Sequence, residues 1–337
     1  MDWGLGHCTR IIPLVQDLLA KNNEVILAAC GPGVAILKSH FPKLLLLDDI
    51  PSYRITYPDH GFFTMHFLLR SPSFMRAVSA EHQWLNAAVE RYSIDEVYSD
   101  NRYGLYHKKI KCKLITHQLN IPAPWFLLPF VRMMASHYFE KFDQILVPDY
   151  NHGMNLSGAL SHGKYESGRV KFIGPLSRFH KVDSIDVSGN DAYDCVAVIS
   201  GPEPARGLFE ELLFKELQKT GLKSLLIQGK PDEKKDVVLG NVRVVNHLTD
   251  DELVKNLMSS GLIICRSGYS TIMDLHALDL RAMLVPTPGQ AEQIYLADYH
   301  HTADRHLRVR QNELNAEKII QVKKRINFAT WSTRKQM

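Results

Sequence analysis

Leu262-Ile263-Ile264-Cys265 is an apolar run that stops at Arg266-Ser267-Gly268-Tyr269-Ser270-Thr271, and Ile272-Met273-Asp274-Leu275-His276-Ala277-Leu278 continues with helical spacing. A short, continuous apolar run closed by turn residues reads as a strand buried on both faces, as in parallel sheets covered by helices. Small hydroxyl residues and a glycine between strand and helix can form an anion site. Backbone N–H groups and the positive helix end then point at the ligand. Asp274, one turn into the helix, offers acceptor atoms for sugar hydroxyls. The competing reading is simple N-capping by Ser267 or Ser270, with an acid near the helix start.

The same alternation extends in both directions. Glu24–Ala29, Lys43–Leu47, Glu96–Ser99, Lys113–Thr116 and Gln144–Val147 read as strands in the first half, with helical patterns between them. Cys195–Ser200, Ser224–Gln228, Val242–Asn246, Leu262–Cys265 and Ala282–Pro286 do so in the second half. The fold class is therefore α/β, with two doubly wound domains facing a cleft. A length of 337 residues agrees with two domains at roughly 150 residues each. The break falls at Phe172–Leu176 and the polar stretch Ser177–Asp194, giving domains 1–175 and 176–337.

Composition excludes several classes. Hydrophobic residues at 45% and charged residues at 23% are ordinary for a globular chain and unlike a disordered one. A net charge of +4, from 40 basic and 36 acidic residues, is too small for a nucleic-acid-coating protein. No apolar stretch reaches the ~18 residues of a membrane span. The longest, Ile121–Val131, is broken by Pro122, Pro124 and Pro129. No basic segment with an apolar core opens the chain, so no signal peptide is expected. Cys8, Cys30, Cys112, Cys195 and Cys265 are scattered, without a CxxC pair. They read as reduced thiols of a cytoplasmic protein.

Gly4-Leu5-Gly6-His7 stands directly before the helical pattern Cys8–Ala20. In a doubly wound domain such a loop joins the first strand to the first helix. No strand precedes it here, and about eight residues of the natural start are expected to be missing, a short strand's length with a lead-in. Glycines admit a ligand close to the backbone. His7 at the helix start has the properties of a general base for a hydroxyl. The alternative is a tight turn capped by an imidazole. A third segment, Pro286-Thr287-Pro288-Gly289-Gln290-Ala291-Glu292-Gln293, places two amides and an acid at another helix start.

The order of these pieces resembles the B-type (GT-B) glycosyltransferases of family 28, which include the N-acetylglucosaminyltransferase of peptidoglycan-precursor synthesis. Gly4-Leu5-Gly6-His7 is similar to that family's glycine-rich loop ending in histidine. Gly174-Pro175-Leu176-Ser177-Arg178 is similar to the interdomain Gly-x-x-x-Arg, whose arginine meets the donor diphosphate. Ser267-Gly268-Tyr269-Ser270-Thr271-Ile272-Met273-Asp274 resembles the Ser-Gly-x-x-Thr-x-x-Glu donor signature, with Asp in place of Glu. Gln293 falls at a donor-sugar glutamine, with Gln290 beside it. More narrowly, Asp2–His7 with Arg266–Leu275 looks like a bacterial branch of the family. One loop departs: the usual Gly-Gly-Ser-x-Gly is Ser200-Gly201-Pro202-Glu203-Pro204-Ala205-Arg206. Its two prolines remove two backbone donors, which shifts the expected phosphate contact to Arg206.

The resemblance implies inverting, metal-independent transfer of a hexose from a nucleotide-diphosphate sugar, UDP-linked, to an acceptor hydroxyl. His7 would take the proton. Backbone amides after Thr271 and Arg178 would meet the charge on the leaving diphosphate. No Asp-x-Asp metal motif occurs, and no cofactor beyond the nucleotide sugar is expected. The donor site would comprise Gly4, Gly6, Arg178, Ser200, Gly201, Arg206, Arg266, Ser267, Gly268, Tyr269, Ser270, Thr271, Asp274, Gln290 and Gln293. The acceptor is open. Pro122–Phe142 carries Trp125, Phe126, Leu127, Leu128, Phe130, Met133 and Met134 beside Arg132 and Lys141. His60–Trp84 carries Phe62, Phe63, Phe67 and Phe74 beside Arg70 and Arg76. Exposed, these suit a lipid-linked acceptor and peripheral contact with the inner membrane face. The blander expectation is that they pack on the first sheet. A non-catalytic sugar-nucleotide sensor and a sugar-nucleotide 2-epimerase share the architecture. A dinucleotide oxidoreductase is disfavoured because Thr9 stands where Gly-x-Gly-x-x-Gly needs its third glycine.

Overall fold

The computed structural model describes residues 6–31, 33–52, 71–163, 167–179, 192–230 and 235–325. They form two compact units, one of residues 10–176 and the other of residues 177–325 together with residues 6–9. Gly4 and the aromatic stretch 60–70, with Phe62, Phe63, Phe67 and Arg70, lie outside the described residues.

The first helix, α1 (Gly6–Ala20), buries Cys8, Ile12 and Val15 at i, i+4, i+7 spacing. In the first unit, strands β1 (Leu27–Ala28) and β2 (Leu46–Leu47) pair in parallel around helix α2 (Gly33–His40) in sequence. Helix α3 (Ser71–Tyr92) buries Phe74, Val78, Leu85 and Val89 along one stripe. Strands β3 (Glu96–Asp100), β4 (Lys111–Ile115), β5 (Gln144–Val147) and β6 (Val170–Phe172) then form a four-stranded parallel sheet in that order. Helix α4 (Leu128–Phe139) connects β4 to β5, with Pro129 in its first turn where no N–H is needed. The core beneath holds Leu85, Val97, Cys112, Leu114, Phe139, Phe142, Ile145 and Val147. Among the described residues, β1 and β3 each have a strand partner on one edge only.

Exposed aromatics replace the packed ones expected here. Trp125 is 83% exposed, Phe126 57%, Phe130 43% and Met133 62%. The prolines at 122, 124 and 129 delay the helix, and Phe126, Phe130 and Met133 share a face turned from the core that Tyr138 and Phe139 join. Phe74 and Trp84 of the upstream aromatic stretch do pack on unit cores.

The second unit is a seven-stranded sheet. Its strands are β7 (Cys195–Val198), β8 (Ser224–Ile227), β9 (Asp236–Leu239), β10 (Val242–Val245), β11 (Ile263–Cys265), β12 (Met283–Leu284) and β13 (Leu307–Arg308). The order is β13-β12-β11-β7-β8-β10-β9, parallel except for β9, which turns back on β10. Helices α5 (Ala205–Thr220), α6 (Asp250–Met258), α7 (Tyr269–Ala277), α8 (Ala291–Thr302) and α9 (Ala316–Arg325) complete the alternation. Cys195, Ala197, Leu226, Val244 and Ile264 share one core with Phe209, Leu213 and Ile319. The short hairpin strand β9 was not expected from sequence. All four of its residues are exposed, so it lacks the alternation of a half-buried strand.

Candidate functional site

Strand order decides where a ligand sits in a doubly wound sheet. The chain runs from β7 to β8 and β10 on one side, then returns to β11, β12 and β13 on the other. The order reverses between β7 and β11, and ligands bind beyond the carboxyl ends of the strands at such a point. Val198 pairs with Cys265 in the parallel register. The two loops singled out in the sequence, Ser200–Arg206 and Arg266–Thr271, therefore leave adjacent strands side by side.

Helix α7 starts openly. Gly268 is its N-cap at φ −68° and ψ 146°, with no side-chain cap, and the first turn carries no acid. Among the described residues, a Cβ on Gly268 would meet only Thr271 Oγ1, at 3.9 Å. The first-turn N–H groups and the positive helix end thus have no capping side chain among the described residues. The serines do not cap this helix. Ser267, fully buried, donates through Oγ to the Gln293 carbonyl at 2.8 Å. Ser270 Oγ donates to the Gly6 carbonyl at 2.9 Å, and a Cβ on Gly6 would come within 2.9 Å of that oxygen. Gly6 thus fits where a larger residue does not. Tyr269 is buried.

Asp274 accepts a hydrogen bond from Ser177 Oγ at 2.6 Å. Burial of its carboxyl drives the pKa up to about 6, although Arg178 and Ser177 pull it down, and Asp250 adds to the rise. The residue as a whole keeps part of its surface in solvent. Arg178 is paired through Nη1 with Asp250 at 2.7 Å and lies over the Phe179 ring. Its Nε is buried without a partner among the described residues.

Arg266 points inward. It is 1% exposed, donates to the carbonyls of Val285 (3.1 Å) and Ala205 (3.2 Å), and its guanidinium lies 3.7 Å from the Phe209 ring centroid. Burial lowers its pKa to about 9. The structure thus places Arg266 as a brace between loops. Gln293 is nearly buried, and its Oε1 accepts the Thr287 N–H at 2.9 Å. Gln290 is the N-cap of α8, with an extended backbone and no side-chain capping bond.

In the loop after β7, Ser200 is half-buried and Gly201 has φ +110°, a conformation only glycine adopts readily. Glu203 fills the start of α5. Its Oε2 accepts the Gly207 N–H at 2.9 Å while its other oxygen takes Arg206. Burial opposes ionisation of Glu203, but the Gly207 and Arg206 bonds win and hold its pKa below the usual range. Arg206 also donates to the Gln228 carbonyl at 3.0 Å. A protein carboxylate thus occupies the helix end that a phosphate would use.

His7 sits in the first turn of α1 and is half-buried. A polar cluster that sequence reading missed lies in the first unit. Arg10, 1% exposed, donates through Nε to Asp100 Oδ2 at 2.9 Å, with a second bond from Nη2 to Oδ1. Its Nη1 is 3.5 Å from His117 Nδ1. The available signal was the pair Asp100-Asn101 at the carboxyl end of β3.

Residues 206–335 match the family model described as "Glycosyltransferase family 28 C-terminal domain". That stretch of the second unit carries a family 28 glycosyltransferase C-terminal domain. Over nearly its full length the chain also has the GT-B fold. It is similar to the glycosyltransferase SnogD from Streptomyces nogalater, at TM-score 0.62 and 16% identity over 96% of this chain and 89% of the other. MurG from Acinetobacter baumannii gives 0.52 and 12% over 96% and 87%. Arabidopsis thaliana UGT89C1, solved with UDP-L-rhamnose, gives 0.59 and 13% over 94% and 86%. No curated protein matches the sequence. In the family 28 domain the α7 start, Asp274 and Gln293 all lie inside the matched residues.

Proposed function

We propose that this chain transfers a hexose from a UDP-linked donor to an acceptor hydroxyl, with inversion at the anomeric carbon and no divalent metal. The uncapped start of α7 at the switch point carries this reading. It offers the diphosphate backbone N–H groups and a helix dipole in place of a cation. Thr271 and Ser270 add hydroxyls there, Asp274 takes the ribose hydroxyls, and Arg178 supplies the compensating charge. Ser200 and Gly201 border the same site, whereas Arg206 and Arg266 hold the loops in place. As the acceptor oxygen bonds to the anomeric carbon, the bond from that carbon to the diphosphate breaks. His7 takes the acceptor's proton, and the nucleoside diphosphate leaves with the electron pair.

The exposed Trp125, Phe126, Phe130 and Met133, flanked by exposed Arg132 and His137, support an acceptor carried on lipid at an anionic surface.

Calorimetric titration of UDP in chelator tests the donor half. Wild type should bind, and Thr271→Ala should bind at least tenfold more weakly. Binding that appears only with added magnesium or manganese refutes the metal-free reading.

A further inference from the structure

Asn101 holds a buried acceptor that its described surroundings leave unpaired. It directly follows β3, and its N–H donates to the Ile115 carbonyl of β4 at 3.1 Å. Its φ is +51°, in the left-handed region that glycine and, less often, asparagine adopt. Glycine would serve a pure turn better here. The residue is 9% exposed, and Oδ1 is buried with no hydrogen-bond partner among the described residues. Buried acceptors in folded proteins are almost always paired, so an orphan calls for an explanation.

Its neighbours cannot supply the missing donor, because each is committed. Asp100 is taken by Arg10. Arg102 is paired with Glu81 and donates to the Pro51 carbonyl and, at 3.4 Å, to Cys30 Sγ. Ser99 Oγ donates to the Arg102 carbonyl at 2.6 Å. Two ion pairs, one on each side, thus hold Asn101 rigidly. They present a neutral, polar surround at the carboxyl edge of a parallel sheet, the edge where ligands sit in this architecture. An unpaired buried acceptor held by a stiff frame is the mark of a preorganised binding group.

We propose that Asn101 is an acceptor-binding residue, whose Oδ1 accepts a hydrogen bond from a hydroxyl of a glycoside head group. This rests on the transferase reading and names the chemistry of its acceptor side. The acceptor is then a hydroxyl-rich glycoside, and Asn101 helps to choose which hydroxyls enter.

Two alkyl glycosides, octyl β-glucoside and octyl N-acetyl-β-glucosaminide, are titrated calorimetrically below their micellar range, with and without UDP. The proteins are the full chain, Asn101→Gly and Asn101→Asp. Asn101→Gly tolerates the left-handed backbone and should melt no lower than wild type. It should keep UDP affinity within twofold and bind the better glycoside at least tenfold more weakly. Asn101→Asp, which keeps an acceptor oxygen, should stay within about threefold of wild type. Unchanged glycoside affinity in Asn101→Gly, or a clear loss of stability, shows a turn residue and overturns the proposal. So does a wild type that binds UDP but neither glycoside. Glycoside binding that depends on Asn101 without any UDP binding supports the site and refutes the transferase reading.

Discussion

Asp274→Asn separates the site's function from its stability. An ordinary carboxyl titrates at 3.8, and burial drives Asp274 up to about 6 in the fold. The folded state therefore binds the extra proton between those values, and stability falls as pH rises through that window. Above pH 6 the loss is complete, at about 3 kcal/mol. Asparagine mimics the protonated carboxyl and still accepts the Ser177 bond. The variant should gain about 3 kcal/mol over wild type at pH 8 and about half of that at pH 5, where unfolded wild type is still ionised. Urea denaturation at the two pH values reads the difference directly. The same variant should lose donor affinity, because an amide offers fewer acceptor sites to ribose hydroxyls. An equal gain at both pH values, or a variant less stable than wild type at pH 8, would refute the assigned burial.

Other outcomes follow from the same contacts. Glu203→Gln removes the Arg206 pair and should cost about 1 kcal/mol while UDP affinity stays within twofold, by melting and calorimetry; a tenfold change in affinity would return the phosphate to that loop. His306 is 1% exposed, and burial above all, with His300 and nearby arginines, holds its pKa well below 6.5. Below pH 6.5 the unfolded chain takes a proton that the folded chain refuses, so stability should fall by up to about 1.4 kcal/mol per pH unit. Urea midpoints in the Asp274→Asn background, at pH 7.5 and 5.5, check this, and equal midpoints would contradict it. Replacing Trp125 and Phe126 by serine should abolish sedimentation with phosphatidylglycerol vesicles without changing UDP binding; retained sedimentation would remove the lipid surface from the account.

The alternation of strands and helices was legible because strands buried on both faces are continuous apolar runs. Cys195–Ser200 and Leu262–Cys265 show this, and both lie at the switch point. The uncapped helix start was legible as a glycine among hydroxyls. Side-chain partners were not. Ser177 meets Asp274 across 97 residues and Ser267 meets Gln293 across 26, distances no local pattern encodes. Arg266 looked like a charge for the donor because sequence displays charge but not the burial against Phe209 that fixes its direction. Glu203, between two prolines, signalled only lost N–H groups, yet its carboxylate takes the helix end. The cluster around Asp100 and Asn101 needed the adjacency of β3 and β4 to be seen.

Glycosyl transfer with His7 as the base is the proposed reaction. It is tested most directly by liberation of UDP from UDP-sugars, with wild type and His7→Gln compared per folded molecule. Wild type should turn over at least one UDP-sugar, and His7→Gln should be slower by roughly 100-fold or more with UDP affinity retained. Turnover in His7→Gln equal to wild type, or no UDP release by wild type from any UDP-sugar, would contradict it.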